Sequence, residues 1–289
     1  MESREDSILS ADLHCYTKLS SSSMGIDDLI ALAKKKGVTT LAITDHDCQA
    51  GSIRGKIIAK RKGIDVIPAV EISATDSVTK RAVHIISYYC DHPDRLEEYC
   101  HKNTIVRKKA GQFMILKAAQ KYPLCADVVL KCATGSIGIF KEHIMHGLME
   151  CGVTDTIYGD IYDKLFTHES EENIIVEPTF ADIQVVIDAI HSAGGIAVLA
   201  TPFKDNSFSQ LDRYIELGLD GVEAWCPSNT KDQTELILAY AKNHNLLVTG
   251  GSEFSGMYSK GRVAVGDYTT PDDALKALVN YKAALKRGK

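Results

Sequence analysis

The sequence predicts an α/β protein whose parallel sheet, open or closed into a barrel, carries its chemistry on one rim. Three observations predict it. Apolar runs of strand length alternate with amphipathic helical stretches near both ends of the chain. Strand after strand stops at acid or imidazole: Asp12-Leu13-His14, then Thr44-Asp45-His46-Asp47, then Glu71, and late in the chain Glu253. Between these two regions the strand rhythm is lost and the pattern reads as helix alone.

The first apolar run, Ile8 to Leu13, has the length of a buried strand and delivers Asp12-Leu13-His14-Cys15-Tyr16-Thr17. A polar loop of four serines, Ser20 to Ser23, follows. Ile26, Leu29, Ile30 and Ala33 then share one helical face, and Gly37 closes that helix. A second strand, Val38 to Ile43, ends in Thr44-Asp45-His46-Asp47. The next helix runs from about Ser52 to Lys62 and stops at Gly63. A third strand, Ile64 to Val70, ends in Glu71, and a fourth, Ala82 to Tyr88, places His84 on one sheet face by alternation.

From about Asp91 to Pro178 three helical stretches are expected, roughly 93 to 120, 137 to 150 and 156 to 167, separated by turn signals at Tyr122-Pro123 and Thr134-Gly135. This segment reads as an insertion that folds over the rim. His143 and His146 lie three apart on one of its helices and share a face. Thr179 is read as the cap of a helix through Ala193, ended by Gly194-Gly195. Ile196 to Ala200 is a strand leading to Thr201-Pro202, Gly221 to Trp225 is another, and a long helix over 230–243 precedes Leu246 to Thr249. Pro271 opens a final helix. The resulting division is 1–90 for the first part of the α/β body, 91–178 for the helical insertion and 179–289 for the second part.

A chain of 289 residues can bury a full-sized core, as one large domain or as a domain with an insertion. Its net charge of -5 provides no basic field for a nucleic-acid backbone, which excludes long duplexes and leaves a small phosphorylated molecule or a short oligonucleotide open. Lys34-Lys35-Lys36 and Arg107-Lys108-Lys109 are read as solvated helix faces. The polar start, Met1 to Asp6, and the lack of any run of membrane-spanning length point to a cytoplasmic protein without a membrane partner. Eight cysteines without a Cys-x-x-Cys pair read as reduced, mostly buried thiols. Cys15 and Cys48 stand beside the histidine motifs, so a thiolate ligand is the alternative there. His92, His101, His168, His191 and His244 are taken as structural or surface residues.

Packing does not require imidazole and carboxylate at successive strand ends; a metal or phosphate site does. Neighbouring parallel strands lie about 5 Å apart, so such groups can converge on one point. In this order and spacing the motifs resemble the PHP (polymerase and histidinol phosphatase) family of metal-dependent phosphoesterases, especially insertion-bearing members that act on nucleotides. The resemblance runs from Ser10 to about Met257. It implies a distorted (β/α)7 barrel with a helical insertion, and hydrolysis of a phosphoric ester by hydroxide held between divalent metals, typically three. By the same resemblance the metal ligands are His14, His46, Glu71, His84, His143 and Glu253. His46, Glu71 and Asp45 are the catalytic candidates. Lys141, standing where a phosphate-binding Arg would be, is a candidate substrate contact together with Thr201, Ser255 and Arg262; Arg262 is chosen from its place after the last loop.

The chain departs from the family pattern at five positions. Tyr16 replaces the second His of the His-x-His motif, Ser21 an Asp, Thr201 the His of Ala-His-Pro, and Glu253 and Ser255 the Asp and His of Gly-Ser-Asp-Phe-His. The resemblance divides the ligands into three sites: His14, Tyr16, Glu71 and Glu253; Glu71, His84 and His143; and Ser21, His46 and Ser255. A neutral hydroxyl is a poor ligand beside carboxylate or imidazole, and a phenol binds only as phenolate. One or two divalent ions (Mn, Zn, Fe or Mg) are therefore expected rather than three. The expected activity is that of a PHP-type phosphoesterase on a small, nucleotide-like phosphorylated substrate, slowed by roughly several orders of magnitude. The alternative is an inactive PHP-fold protein, a pseudoenzyme or an engineered variant, that only binds metal or a phosphorylated ligand.

Overall fold

The computed structural model describes residues 10–287. The expected start of the first strand at Ile8 lies outside the described residues. Strand β1 (Ala11–Cys15) pairs in parallel with β2 (Thr40–Ile43), and β2 with β3 (Asp65–Ile67). Helix α1 (Ile26–Lys35) makes the first crossover and buries Ile26, Leu29, Ile30 and Ala33, the face its periodicity marks. Asp27 and Asp28 in its first turn and Lys34 and Lys35 in its last complement the helix dipole. Helix α2 (Ala50–Lys62) ends at Gly63, whose φ of 73° is the left-handed conformation that a residue without Cβ adopts at least cost.

The single strand expected over 64–70 is two. Pro68 has no N–H to donate, so the ladder with β2 ends there; its carbonyl instead accepts from the Tyr89 N–H at 2.8 Å. β4 (Ala69–Thr75) then begins a second sheet with the order β4-β5-β6-β7-β8, adding β5 (Ala82–Tyr88), β6 (Ile196–Leu199), β7 (Gly221–Trp225) and β8 (Leu247–Gly250). The all-parallel expectation is corrected here, because β5 runs antiparallel to both β4 and β6. The cause is local: β4 and β5 are joined by a short hairpin, and only antiparallel strands can be joined that way. At that turn Asp76 N–H donates to Arg81 O at 2.9 Å and Lys80 N–H to Asp76 O at 2.8 Å. Isolated parallel bridges link His46, beyond β2, to Glu71 on β4, and Cys15 on β1 to Phe254, beyond β8, so the two sheets meet at both places.

Between β5 and β6 the chain carries α3 (Asp94–Lys121), α4 (Ala126–Cys132), α5 (Lys141–Glu150), α6 (Asp160–Phe166) and α7 (Ile183–Ser192), with no strand among the described residues. Helix α4 was not anticipated; at seven residues it is too short to show periodicity. Helix α7 starts later than expected, because Asp182 rather than Thr179 is the cap, its carboxylate accepting the Gln184 N–H at 2.9 Å. Met145, Leu148, Leu165 and Ile174 bury against one another in a core of their own, which Tyr258 joins from beyond β8. The remaining helices are α8 (Leu211–Glu216), α9 (Lys231–His244), started by a Thr230/Gln233 capping box, and α10 (Asp272–Arg287) after Pro271. Helix α10 inserts Leu275 and Leu278 into the apolar cluster of Leu13, Ile67, Ile86 and Val198. No described helix is long and apolar enough to cross a membrane.

Candidate metal centre

The carboxyl ends of the parallel strands and the amino end of the antiparallel β5 open into a cavity of about 740 Å³. Tyr16 enters it from the end of β1, His46 from beyond β2, Glu71 and His84 from β4 and β5, Thr201 and Asp205 from beyond β6, and Glu253 and Ser255 from beyond β8. Helices α3 and α5 complete its wall with Arg107, Met114 and Lys141.

On the cavity floor, one donor atom each from His46, Glu71 and His84 lie within 4.8 Å of one another. The His46 side chain is half-buried, and its Nδ1, itself out of contact with solvent, has no hydrogen-bond partner, although Glu71 Oε2 is 3.6 Å away. Burial holds the His46 pKa well below the usual imidazole range against the pull of Glu71, so the ring is neutral and keeps a lone pair. Burial alone would raise the Glu71 pKa, but the imidazoles around it, of which His14 is the one held charged and lies 3.1 Å away, keep it well below the usual value, so this group is a carboxylate. His84 Nδ1 pairs with Asp205 Oδ2 at 2.8 Å, and against burial this carboxylate raises the His84 pKa. A histidine whose one nitrogen is held by a carboxylate presents its other nitrogen in a fixed direction, the arrangement common behind metal-ligating histidines. A neutral imidazole with an unpartnered buried nitrogen, a carboxylate and an oriented second imidazole fit a borderline divalent ion.

The other half of the expected cluster is differently engaged. His14 is fully buried, with Nδ1 2.8 Å from Glu223 Oε1 and Nε2 2.7 Å from the Tyr16 hydroxyl and 3.1 Å from Glu71 Oε2. Burial lowers the pKa of this ring, but Glu223 and Glu71 outweigh it and hold the value well above the usual range. The Tyr16 hydroxyl donates to Glu71 Oε2 at 2.7 Å, and burial and Glu71 together push its pKa well up, so it remains a phenol. Glu253 Oε2 accepts from the Lys204 ammonium at 2.5 Å, while its Oε1 is buried without a partner.

Other expected site residues are placed as follows. His143 lies outside the three-donor group. Its Nδ1 accepts the Phe140 N–H at 3.2 Å, its ring packs edge-on against Phe140 and Tyr258, and burial lowers its pKa to about 4. Asp45 does not reach the cavity: fully buried beneath it, its carboxylate accepts Thr17 N–H at 2.7 Å, Thr17 Oγ1 at 2.6 Å and Ser20 Oγ at 2.6 Å. That corrects its reading as a catalytic group, since it buckles the serine loop to β2. Arg262 is exposed and does not line the cavity, a second correction. Ser21, Lys141, Thr201 and Ser255 do line it.

Four residues escaped the sequence reading. Arg107, taken as part of a solvated run, turns inward: Nη2 donates to Asp47 Oδ2 at 3.0 Å and Ser73 Oγ at 2.5 Å, and the guanidinium lies 4.9 Å from the Phe140 ring centre and 5.2 Å from that of Phe180. Glu223 is a charged residue in the apolar strand Gly221-Val-Glu-Ala-Trp225, which was a usable signal. Lys204 and Asp205 sit in a loop with no periodicity to mark them.

Comparison with known proteins bears on this geometry. The PHP domain family matches residues 12–177. The chain is 31% identical to the 5'-3' exoribonuclease of Escherichia coli over 84% of each chain. It is 27% identical to the phosphoribosyl 1,2-cyclic phosphate 1,2-diphosphodiesterase of Eggerthella lenta, covering 90% of this chain and 98% of that one. Among solved structures it superposes on a proposed metal-dependent phosphoesterase from Bifidobacterium adolescentis with a TM-score of 0.82, at 27% identity over 94% of this chain and 96% of that one.

Proposed function

The chain belongs to the PHP domain family, and from that premise we propose that it is a metal-dependent phosphoesterase for a small, nucleotide-like phosphorylated substrate, with turnover weakened by a depleted donor set. The observation that carries the reading is the His46, Glu71 and His84 group on the floor of the cavity, with the buried, unpartnered Nδ1 of His46. We read the bridges His46–Glu71 and Cys15–Phe254 as the seams of a distorted seven-stranded barrel in which β3 and β4 count as one strand. On the same reading 91–178 is the helical insertion between barrel parts 1–90 and 179–289.

His46, Glu71 and His84 would hold the divalent ion, with one or two ions in total rather than three. When bound, such an ion polarises a phosphoryl oxygen and makes a nucleophile available at neutral pH. The chain's own groups do the rest. Asp205 fixes the His84 ring, Arg107 and Lys141 bring positive charge to the cavity wall for phosphate oxygens, and Tyr158, Tyr162 and Phe180 offer faces on which a base can stack. The activities for which these relatives are named, on a cyclic phosphate and on RNA in the 5'-3' direction, support a phosphodiester or a short phosphorylated RNA as substrate. All eight cysteines are free, which agrees with a reducing cytoplasmic setting.

A second reading, binding without turnover, is favoured by one observation: the Tyr16 hydroxyl takes the contacts of His14 and Glu71 that an ion would need. Phosphate or nucleotide release with Mn²⁺, measured on nucleoside bisphosphates, cyclic nucleotides and 5'-phosphorylated RNA, decides between them. The expected result is slow, chelator-sensitive release that speeds up strongly in the combined variant Tyr16→His, Ser21→Asp, Thr201→His, Glu253→Asp, Ser255→His. Equal rates in both proteins would refute the depleted-donor account. No release by either, with a nucleotide still bound, would establish the binding reading.

A further inference from the structure

Building on the reading of a divalent ion at His46, Glu71 and His84, we infer that the remaining half of the donor cluster is sealed against metal by two protein groups, the Tyr16 hydroxyl and the Lys204 ammonium, leaving room for one ion. The geometry is direct. His14 Nε2 and Glu71 Oε2 stand 3.1 Å apart, and the Tyr16 oxygen lies 2.7 Å from each. An ion using both donors needs about 2.0–2.2 Å to each of them. It would have to occupy the space on which that oxygen is centred. The Tyr16 ring stacks on His46 at 4.8 Å, which couples its position to a ring of the retained site. The second nitrogen of His14 is no substitute, because it is spent on Glu223 at 2.8 Å.

Glu253 is closed to an ion by charge rather than by space. Its outward oxygen touches the Lys204 ammonium at 2.5 Å, and Lys204 reaches it from the loop after β6 with a side chain 55% exposed at the cavity. A carboxylate already neutralised by a resident cation attracts a divalent ion less strongly by most of one Coulombic pair. The two closures act on the same ion: one removes its imidazole and shared carboxylate, and the other weakens the pull of its remaining carboxylate, of which only Oε1 is left unpartnered. Unlike a metal, the ammonium needs no loading and stays beside Thr201 and Asp205 as a fixed positive charge facing the cavity.

The test counts ions instead of turnover. Chelator-stripped wild type and the double variant Tyr16→His, Lys204→Met are titrated with Mn²⁺ by calorimetry, and the loaded proteins are compared by electron paramagnetic resonance. The double variant is expected to bind one more ion than wild type and to show a spin-coupled Mn²⁺ pair that wild type lacks. An equal count in the two proteins, or a coupled pair already present in wild type, overturns the inference. The wild-type count tests the underlying reading separately: no ion in wild type with a gain of one in the variant would sink the His46-Glu71-His84 site while upholding the sealed half. Should the double variant not fold, Tyr16→His alone is expected to gain a second, weaker Mn²⁺ site and Lys204→Met alone to keep the wild-type count, because the Tyr16 oxygen still fills the space; no gain in Tyr16→His, or a gain in Lys204→Met, overturns the role given to the hydroxyl.

Discussion

Replacing Asp47 by Ala is expected to be among the most damaging single changes that leave every donor of the metal centre in place. The Asp47 carboxylate is 2% exposed and accepts four hydrogen bonds: from Ser73 N–H and Ser73 Oγ at 2.9 Å each, from Asn103 Nδ2 at 2.7 Å and from Arg107 Nη2 at 3.0 Å. It thereby ties β4 to α3 and aims Arg107 into the cavity. Breaking a buried ion pair by deleting one partner costs about 3–5 kcal/mol, and the lower end applies because Arg107 can turn toward the water of the cavity. Stranding the Ser73 and Asn103 donors adds about 1–3 kcal/mol, less than a simple sum because the groups share one network. An alanine at a φ of 52° adds strain of about 1 kcal/mol. A loss of about 4–6 kcal/mol follows, comparable to the whole stability of many domains. Urea unfolding at unchanged slope reads the stability, and calorimetry with a nucleoside bisphosphate reads the cavity. Asp47→Asn, which keeps the shape and one acceptor, should lose about 1–2 kcal/mol and bind the nucleotide more weakly. A loss below about 1 kcal/mol in Asp47→Ala with unchanged nucleotide affinity would refute the claim that this carboxylate organises the wall.

Two further outcomes are expected. Asp205→Asn should weaken Mn²⁺ binding about 10–100-fold with little change in stability, because it frees the His84 ring to rotate; competition against a fluorescent chelator measures it, and unchanged affinity would exclude Asp205 as an orienting group. His143, with a folded-state pKa of about 4 against an ordinary value of 6.5, takes up its proton more readily when unfolded. The metal-free protein should therefore lose stability as pH falls from about 6.5 to about 4, by about 3 kcal/mol from this residue, and His143→Gln should flatten that part of the pH–stability curve. An unaltered slope in the variant would show that His143 is not the group responsible.

The legibility of the site depended on where each residue sat in the chain. His14, His46, Glu71 and His84 could be singled out because each lies in or at the end of an apolar run, where a polar side chain stands against its context. Asp45 satisfied the same criterion and yet faces the serine loop, because successive residues beyond a strand end point in different directions and only the fold chooses which of Asp45 and His46 enters the cavity. Arg107 failed the criterion from the other side. A basic triplet on a long helix looks solvated, and only the placement of α3 against Ser73 and Asp47 turns one of its members inward.

From the residues alone come the α/β class, most strand and helix positions, and the strand-end histidines and acids, because period and composition are local properties that survive without the fold. The antiparallel course of β5, the pairing of Glu223 with His14, the Lys204 ammonium on Glu253 and the Tyr16 hydroxyl between His14 and Glu71 are tertiary decisions. Each joins groups brought together by crossovers or by the direction a side chain takes at a strand end, and no one-dimensional spacing records a distance of that kind. Tyr16 shows the difference most plainly: in the sequence it is a missing ligand, whereas in the folded protein its oxygen stands between the two groups an ion would need.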